Sequence, residues 1–180
     1  MKEKTIAWAV GHIAAGYVFF YCDINLGTLN ILPDWVCYIF VFQSIAVLES
    51  RIPSIALLKN LCVLLGVWEG INWALTIIGQ GVDIYLVTIL TGVLALYFHF
   101  QLLTNLADLA QQTGFEKYRS LLVLRAVQAV LLTATGILVG LTQTLWIFVV
   151  VVSAQVIVII WILSLLYSFR NYLRGVPALS

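Results

Sequence analysis

A single carboxylate inside an apolar run is the residue of this chain whose setting most strongly suggests a functional role. Glu69 lies in WEGINWALT, where Asn72, Trp73 and Thr76 follow it at spacings of three, four and seven residues. That spacing places the four side chains on one face of a helix. A carboxylate can pair with a cation, and an indole ring attracts one through its face. The alternative is structural: a protonated Glu69 that donates a hydrogen bond to a neighbouring helix.

Further acidic and polar residues flank the apolar runs on the same side as Glu69. The connections on that side contain no basic residue, and in or beside them lie Asp23, Asp34 and Asp83. Negative charge at the entrance of a cavity raises the local concentration of cations. The predicted ligand-binding residues are therefore Glu69, Asn72 and Trp73, with Asp23, Asn25 and Asp34 above them and His12 as a floor. The competing interpretation is that the connections on this side merely lack Lys and Arg and that Asp34 only caps a helix.

The composition defines the elements that must position these residues. Of the 180 residues, 63% are hydrophobic and 9% are charged, and the mean hydropathy is +1.07. No soluble domain of this size covers so much apolar surface, and apolar runs near the length of a bilayer recur along the whole chain. Helices are required because backbone polar groups exposed to lipid must be satisfied within the segment. The sequence predicts an all-α, polytopic membrane protein that forms a single transmembrane domain over residues 1–180.

Six spans are predicted, over residues 5–22, 33–49, 54–79, 83–107, 119–140 and 144–169. Pro33 suits the first turn of the second span, and Ser54 is a candidate cap for the third. GQGVD indicates a tight turn, and Gly114 indicates a helix end. The connection over residues 23–32 is too apolar for water, so we expect it to fold over the helix ends as a lid or to re-enter the membrane.

The nine basic residues set the orientation, since all of them flank one side of a six-span arrangement: Lys2, Lys4, Arg51, Lys59, Lys117, Arg119, Arg125, Arg170 and Arg174. By the positive-inside rule that side is cytoplasmic. The bundle of six transmembrane helices is therefore predicted to have both termini in the cytoplasm of a cell, with Lys59 and Arg125 reaching the inner headgroups.

The first connection also carries a resemblance. DINLGTLNILPDWVCY resembles the first connection of small, uncharacterised membrane proteins of Gram-positive bacteria, in which Asp-x-Asn-x-Gly precedes Leu-Pro-Asp and a Tyr. Cys37 stands where that pattern has Gly. The matching residues are Asp23, Asn25, Gly27, Leu32, Pro33, Asp34 and Tyr38. The resemblance implies a multi-pass protein of a bacterial plasma membrane and implies no activity.

The length and the six spans are more loosely similar to the substrate-binding S-components of energy-coupling-factor importers. Those proteins carry a small-residue motif on the first helix and a substrate lid after it. Ala7, Gly11 and Ala15 form a comparable row. The similarity implies that this row faces a partner subunit or lipid, away from the cavity.

Three functions stay open. The first is binding or transport of a small cationic or polar solute through an acidic, aromatic cavity open to the outer face. The second is an accessory or sensory subunit of a larger complex or a homo-oligomer. The third, an intramembrane lipid-modifying enzyme using Glu69, His12 or His99, is disfavoured because no paired catalytic residues are visible. No catalytic or metal-ligating set is predicted, the cofactor is unknown, and nothing in the sequence indicates nucleic-acid binding.

Overall fold

The computed structural model describes residues 5–22, 25–26, 29–30, 32–80, 85–141 and 145–176 of the chain. Six α-helices follow one another through the sequence, and a short 3-10 helix, Pro53–Leu57, leads directly into the third. Two strands of two residues each lie between the first and second helices. The helices are α1 (Ile6–Tyr21), α2 (Trp35–Leu48), α3 (Leu58–Ile77), α4 (Tyr85–Gln112), α5 (Tyr118–Leu141) and α6 (Leu145–Arg174).

Local sequence explains most helix ends. The Thr5 side chain accepts a hydrogen bond from the Trp8 N–H at 3.2 Å and caps α1. Gly79 and Gly114 have φ angles of +72° and +78° directly after α3 and α4, as the sequence predicted for Gly114. Ser54 does not cap α3. Its hydroxyl instead donates to Asn105 Oδ1 at 2.9 Å, and the 3-10 turn begins at Pro53.

Two helices extend beyond the predicted spans. α4 continues from residue 107 to Gln112, and α6 continues from residue 169 to Arg174. Polar residues such as Gln111 and Gln112 end an apolar span but do not end a helix, because they are good helix formers. Asn105, near the end of α4, is buried and accepts a hydrogen bond from the Ser54 hydroxyl.

The helices pack in chain order, and α1 also packs on α6. Each helix runs antiparallel to the next, so the start of α1 lies beside the end of α6. α1 has no exposed residue in the structure. Its Gly11 lies under the Arg170 side chain, where an added Cβ would be 3.0 Å from Arg170 Cδ. Gly11 and the buried Ala7 therefore contact this bundle, whereas the resemblance to S-components implied contact with a partner or with lipid.

One end of the bundle collects the basic residues of the described chain, and we call it the basic end. Lys59 forms an ion pair with Glu49 there. The Tyr172 hydroxyl donates to the Thr113 carbonyl at 2.8 Å and ties α6 to the end of α4. The basic end includes Arg51, Lys59, Lys117, Arg119, Arg125, Arg170 and Arg174.

The described helices expose much apolar surface and bury several polar side chains. Many large hydrophobic side chains on α3, α4 and α6 are exposed, whereas Ser44, His99, Asn105 and Gln128 are buried. Monomeric soluble proteins rarely expose large contiguous apolar patches. Among the described residues, three helices are long and apolar enough to cross a membrane: Pro53–Ile77, Leu86–Gln112 and Val149–Arg174. α1 and α2 are apolar but shorter.

The first connection contains a small antiparallel pair of strands, β1 (Asn25–Leu26) and β2 (Leu29–Asn30). Asn25 pairs with Asn30, and Leu26 pairs with Leu29. β2 contacts α3, and the predicted lid or re-entrant connection stays a prediction. Residues 23–24, 27–28 and 31 lie outside the described residues.

Candidate functional site

The predicted face of α3 exists in the structure. Glu69, Asn72 and Trp73 are half-buried on it, and the Thr76 hydroxyl donates to the Asn72 carbonyl at 2.9 Å. The hydrogen bond to a backbone carbonyl satisfies Thr76 within its own helix. Glu69 and Asn72 therefore carry the other polar groups of this face, and Trp73 adds an aromatic ring.

The first turn of α2 packs against this face through glycines. An added Cβ on Gly66 would lie 3.2 Å from Tyr38 Cβ, and one on Gly70 would lie 3.9 Å from Trp35 Cγ. The missing side chains let two aromatic residues approach the α3 backbone. The Trp35 ring then meets the Trp73 ring edge to face, with centroids 6.1 Å apart. Two indole rings thus stand beside Glu69.

Several polar atoms here form no hydrogen bond with any described residue. In the described part of the chain, the Glu69 carboxylate forms no hydrogen bond or ion pair. Asn72 Oδ1 and Trp35 Nε1 are buried and form no hydrogen bond with any described residue. A buried polar atom without a partner costs about 1–3 kcal/mol. The group offers two kinds of acceptor and one donor to a molecule that is not part of this chain. We call Trp35, Glu69, Asn72 and Trp73 the outer site.

The other predicted site residues have different positions. Asp34 is the N-terminal cap residue of α2, but its side chain makes no capping hydrogen bond, and it directly precedes Trp35 of the outer site. Asn25 lies in β1, and its side chain is outside the description. Asp23 lies outside the described residues. These placements neither test nor remove the predicted role of Asp23 and Asn25.

His12 is engaged elsewhere. Its ring stacks on Trp8 with centroids 3.7 Å apart and meets Phe40 at 5.5 Å. Its Nδ1 lies 3.2 Å from the Trp8 carbonyl oxygen. These contacts join α1 to α2, and none of the contacts of His12 in the described chain reaches α3. The structure thus gives His12 a packing role between α1 and α2 and does not bring it to the outer site.

A second group of polar side chains lies at the centre of the bundle. Tyr17, Tyr21, His99 and Gln128 come from α1, α4 and α5, and we call them the central cluster. His99 and Gln128 are 1% and 2% exposed. The His99 ring lies 5.4 Å from the Tyr17 ring and 4.0 Å from the Phe20 ring. Gln128 lies close enough to both tyrosine hydroxyls to interact with them.

The central cluster also lacks partners. Both hydroxyls, both ring nitrogens of His99 and both amide atoms of Gln128 are buried without a hydrogen bond of regular geometry to any described residue. No described carboxylate or basic side chain interacts with this group. It is therefore a neutral, aromatic site with unused donors and acceptors, and such sites hold water or a polar ligand.

Tyr38 joins the two groups. Its ring lies 5.4 Å from Phe98 and 6.4 Å from His99. On its other side it packs on Gly66 and interacts electrostatically with Glu69. Polar side chains therefore continue from Glu69 on α3, past Tyr38, to the centre of the bundle.

The sequence reasoning missed most of the central cluster. Helical spacing places His99 on one stripe with Thr88, Gly92 and Ala95, but Thr88 and Gly92 are exposed. The available signal was Tyr17 and Tyr21, one turn apart on α1. It did not indicate which helices would meet there.

The described residues bring together no group of three His, Cys, Asp or Glu side chains that could hold a metal ion. Cys22, Cys37 and Cys62 are all free thiols in the structure.

Comparisons of the sequence with protein-family models and with characterised proteins, and of the fold with solved structures, find no match. The resemblance of the first connection to small membrane proteins of Gram-positive bacteria therefore stays a prediction.

Proposed function

We propose that this chain is a six-span membrane protein that binds, and in that way helps to move, a small cationic solute at the outer site. The observation that carries the proposal is the half-buried Glu69 carboxylate, which lacks a partner in the described chain and stands beside two tryptophan rings. A carboxylate placed in this way inside a membrane requires a counter-ion, a proton or water.

The chemistry of the outer site suits an ammonium or guanidinium group. Glu69 supplies negative charge, and Asn72 Oδ1 accepts a hydrogen bond from an N–H donor. A cation held against a tryptophan face gains about 0.5–2 kcal/mol. Trp35 Nε1 is a donor, so a ligand that also carries a carbonyl or hydroxyl oxygen fits better than a bare cation.

The membrane placement is part of the same proposal. The exposed apolar surface and the three long apolar helices support insertion in a bilayer. The gathering of basic residues at one end supports cytoplasmic termini in a bacterial plasma membrane. The outer site then lies in the outer half of the bundle, and the strands of the first connection lie over α3 on that side. The acidic residues of the first connection would attract cations to the entrance.

Two other functions receive less support. A lipid-modifying enzyme needs an acid and a base within reach of one another. Within the described chain, neither His12 nor His99 contacts a carboxylate. An accessory subunit of a larger complex would leave the unpartnered polar atoms of the outer site without a role.

The test is the unfolding temperature of the detergent-solubilised protein in the presence of small solutes. We expect at least one of tetramethylammonium, guanidinium, agmatine and spermidine to raise it, because a ligand that binds the folded state stabilises it. Acetate and glycerol serve as anionic and neutral controls. Absence of stabilisation by all four cations, together with tight co-purification of a protein partner, would favour the accessory subunit instead.

A further inference from the structure

Arg125 is held rigidly at the surface of the bundle. Its Nη1 donates to Thr104 Oγ1 at 3.0 Å, and its guanidinium carbon lies 4.4 Å from the centre of the Phe100 ring. The Thr104 hydroxyl donates its own proton to the Phe100 carbonyl at 2.8 Å. Thr104 is therefore fixed as an acceptor for Arg125, and the guanidinium lies across α4 in one orientation.

The charge of Arg125 is not balanced by this part of the protein. The side chain is half-buried, and its Nε is buried without a hydrogen bond to any described residue. Arg125 forms no ion pair with a carboxylate in the described chain. Asp108 lies one turn from Thr104 toward the end of α4, but it is exposed and does not pair with Arg125. A half-buried guanidinium needs an anion, and one that retains free N–H groups offers it charge-assisted hydrogen bonds.

The depth of Arg125 matches that of lipid phosphates. α4 has 28 residues, which rise about 42 Å, about 12 Å more than the hydrocarbon core. Thr104 lies eight residues before the end of α4, or about 12 Å along the axis. If the polar end of α4 projects into the cytoplasm, Thr104 and Arg125 lie where the hydrocarbon of the inner leaflet ends.

The neighbouring surface suits an acyl chain. Phe100, Tyr97, Val93 and Leu90 are exposed on one stripe of α4 that runs from Arg125 toward the opposite end of the bundle. A phosphate at Arg125 would thus be followed by continuous apolar surface in the direction in which lipid tails extend.

We propose that Arg125, Thr104 and Phe100 form a binding site for the phosphate of an anionic phospholipid of the inner leaflet. Arg125 supplies the charge and the hydrogen-bond donors. Thr104 and Phe100 fix the guanidinium plane, and the stripe on α4 takes one acyl chain. The inference rests on the proposed membrane placement but not on the outer site, because Glu69 has no part in it.

The experiment is native mass spectrometry of the full chain in a mild detergent, titrated with dioleoylphosphatidylglycerol. Arg125→Gln should weaken the lipid complex about tenfold or more, since a charge-assisted hydrogen bond and an ion pair are lost. Arg119→Gln is the matched control, because Arg119 is a fully exposed residue of the same helix. If Arg125→Gln does not fold, Thr104→Val replaces it, with a smaller but measurable loss expected. Equal lipid binding by wild type and these variants would overturn the proposal.

Two further titrations identify the source of the phosphate. Dioleoylglycerol lacks the phosphate and should bind about tenfold more weakly than the phospholipid or not at all. Inorganic phosphate lacks the tails and should not displace the phospholipid. Equal binding of dioleoylglycerol would show apolar contact only, and displacement by inorganic phosphate would show a site for the free ion. Either result would contradict a phospholipid site. Cation binding at Glu69 should be unchanged by Arg125→Gln, so the two proposals fail separately.

Discussion

Glu69 differs in its surroundings from the described acids at the basic end. Glu49 pairs with Lys59, and Asp108 and Glu116 are exposed at the basic end. Glu69 instead lies midway along α3, beside Tyr38 and without an ion pair in the described chain. A carboxylate in such a place is costly unless it binds something. The physical case for a ligand therefore rests on one residue and on the two tryptophans beside it.

The central cluster gives a second prediction at the level of a single residue. The Tyr17 hydroxyl lies near Gln128 but forms no hydrogen bond of regular geometry to a described residue, so Tyr17→Phe should change the free energy of unfolding by no more than about 1 kcal/mol. Tyr172→Phe is the matched control, because that hydroxyl donates to the Thr113 carbonyl. Loss of that hydrogen bond should lower the free energy of unfolding by about 0.5–1.5 kcal/mol.

Thermal unfolding of the two purified variants checks this prediction. A loss of more than about 1 kcal/mol in Tyr17→Phe would mean that the hydroxyl has a strong partner. The central cluster would then be a structural network and not a site with unused donors and acceptors.

At the scale of the elements, the packing of α2 on α3 positions both groups. Gly66 allows Tyr38 to approach the α3 backbone, and Tyr38 contacts His99 on its other side. Gly66→Val should push α2 away from α3, because even a Cβ would lie 3.2 Å from Tyr38 Cβ. We expect a loss of about 1–3 kcal/mol in unfolding free energy, as in other overpacked cores.

Gly92→Val is the control for this prediction. An added Cβ on Gly92 has no atom within 4 Å, and Gly92 lies in the middle of α4 as Gly66 lies in α3. Valine should therefore be tolerated at residue 92, since it is a slightly better helix former than glycine. Equal loss of stability in both variants would mean that the close α2–α3 contact at Gly66 does not decide the outcome.

The orientation of the bundle in the membrane can be measured by cysteine labelling. On a background without native cysteines, Thr28→Cys and Gln80→Cys should react with an impermeant thiol reagent in intact cells. Glu116→Cys and Val176→Cys lie at the basic end and should react only after permeabilisation. Reaction of the cysteine at residue 176 from outside would contradict a six-span arrangement with a cytoplasmic C-terminus.

The sequence predicted the features that depend on local chemistry. The six helices follow from the apolar runs, and the end of α4 follows from Gly114, whose positive φ suits a residue without a side chain. The face of Glu69, Asn72 and Trp73 follows from helical spacing alone. These properties are set within a few residues of chain, so no knowledge of tertiary packing is needed to see them.

The features that depend on how helices rotate against each other were not predictable. Nothing local places His99 of α4 beside Tyr17 of α1, or turns Gly11 toward Arg170. The position of His12 along α1 predicts it at the inner end of the ligand site, but its ring faces Trp8 and Phe40. A helix in lipid can expose any apolar face, so hydrophobic periodicity does not fix which polar residue points inward.

The most direct test of the central claim compares wild type with Glu69→Gln by native mass spectrometry after gentle extraction from the membrane. The amide keeps the shape of the side chain and removes the charge, so the fold should be unaffected while cation binding is lost. Glu116→Gln, at an exposed residue, is the matched control. We predict a small cationic adduct on wild type and on the control that is absent from Glu69→Gln. The same adduct on all three proteins, or a wild-type protein that neither carries an adduct nor takes one up from the four test cations, would contradict the account.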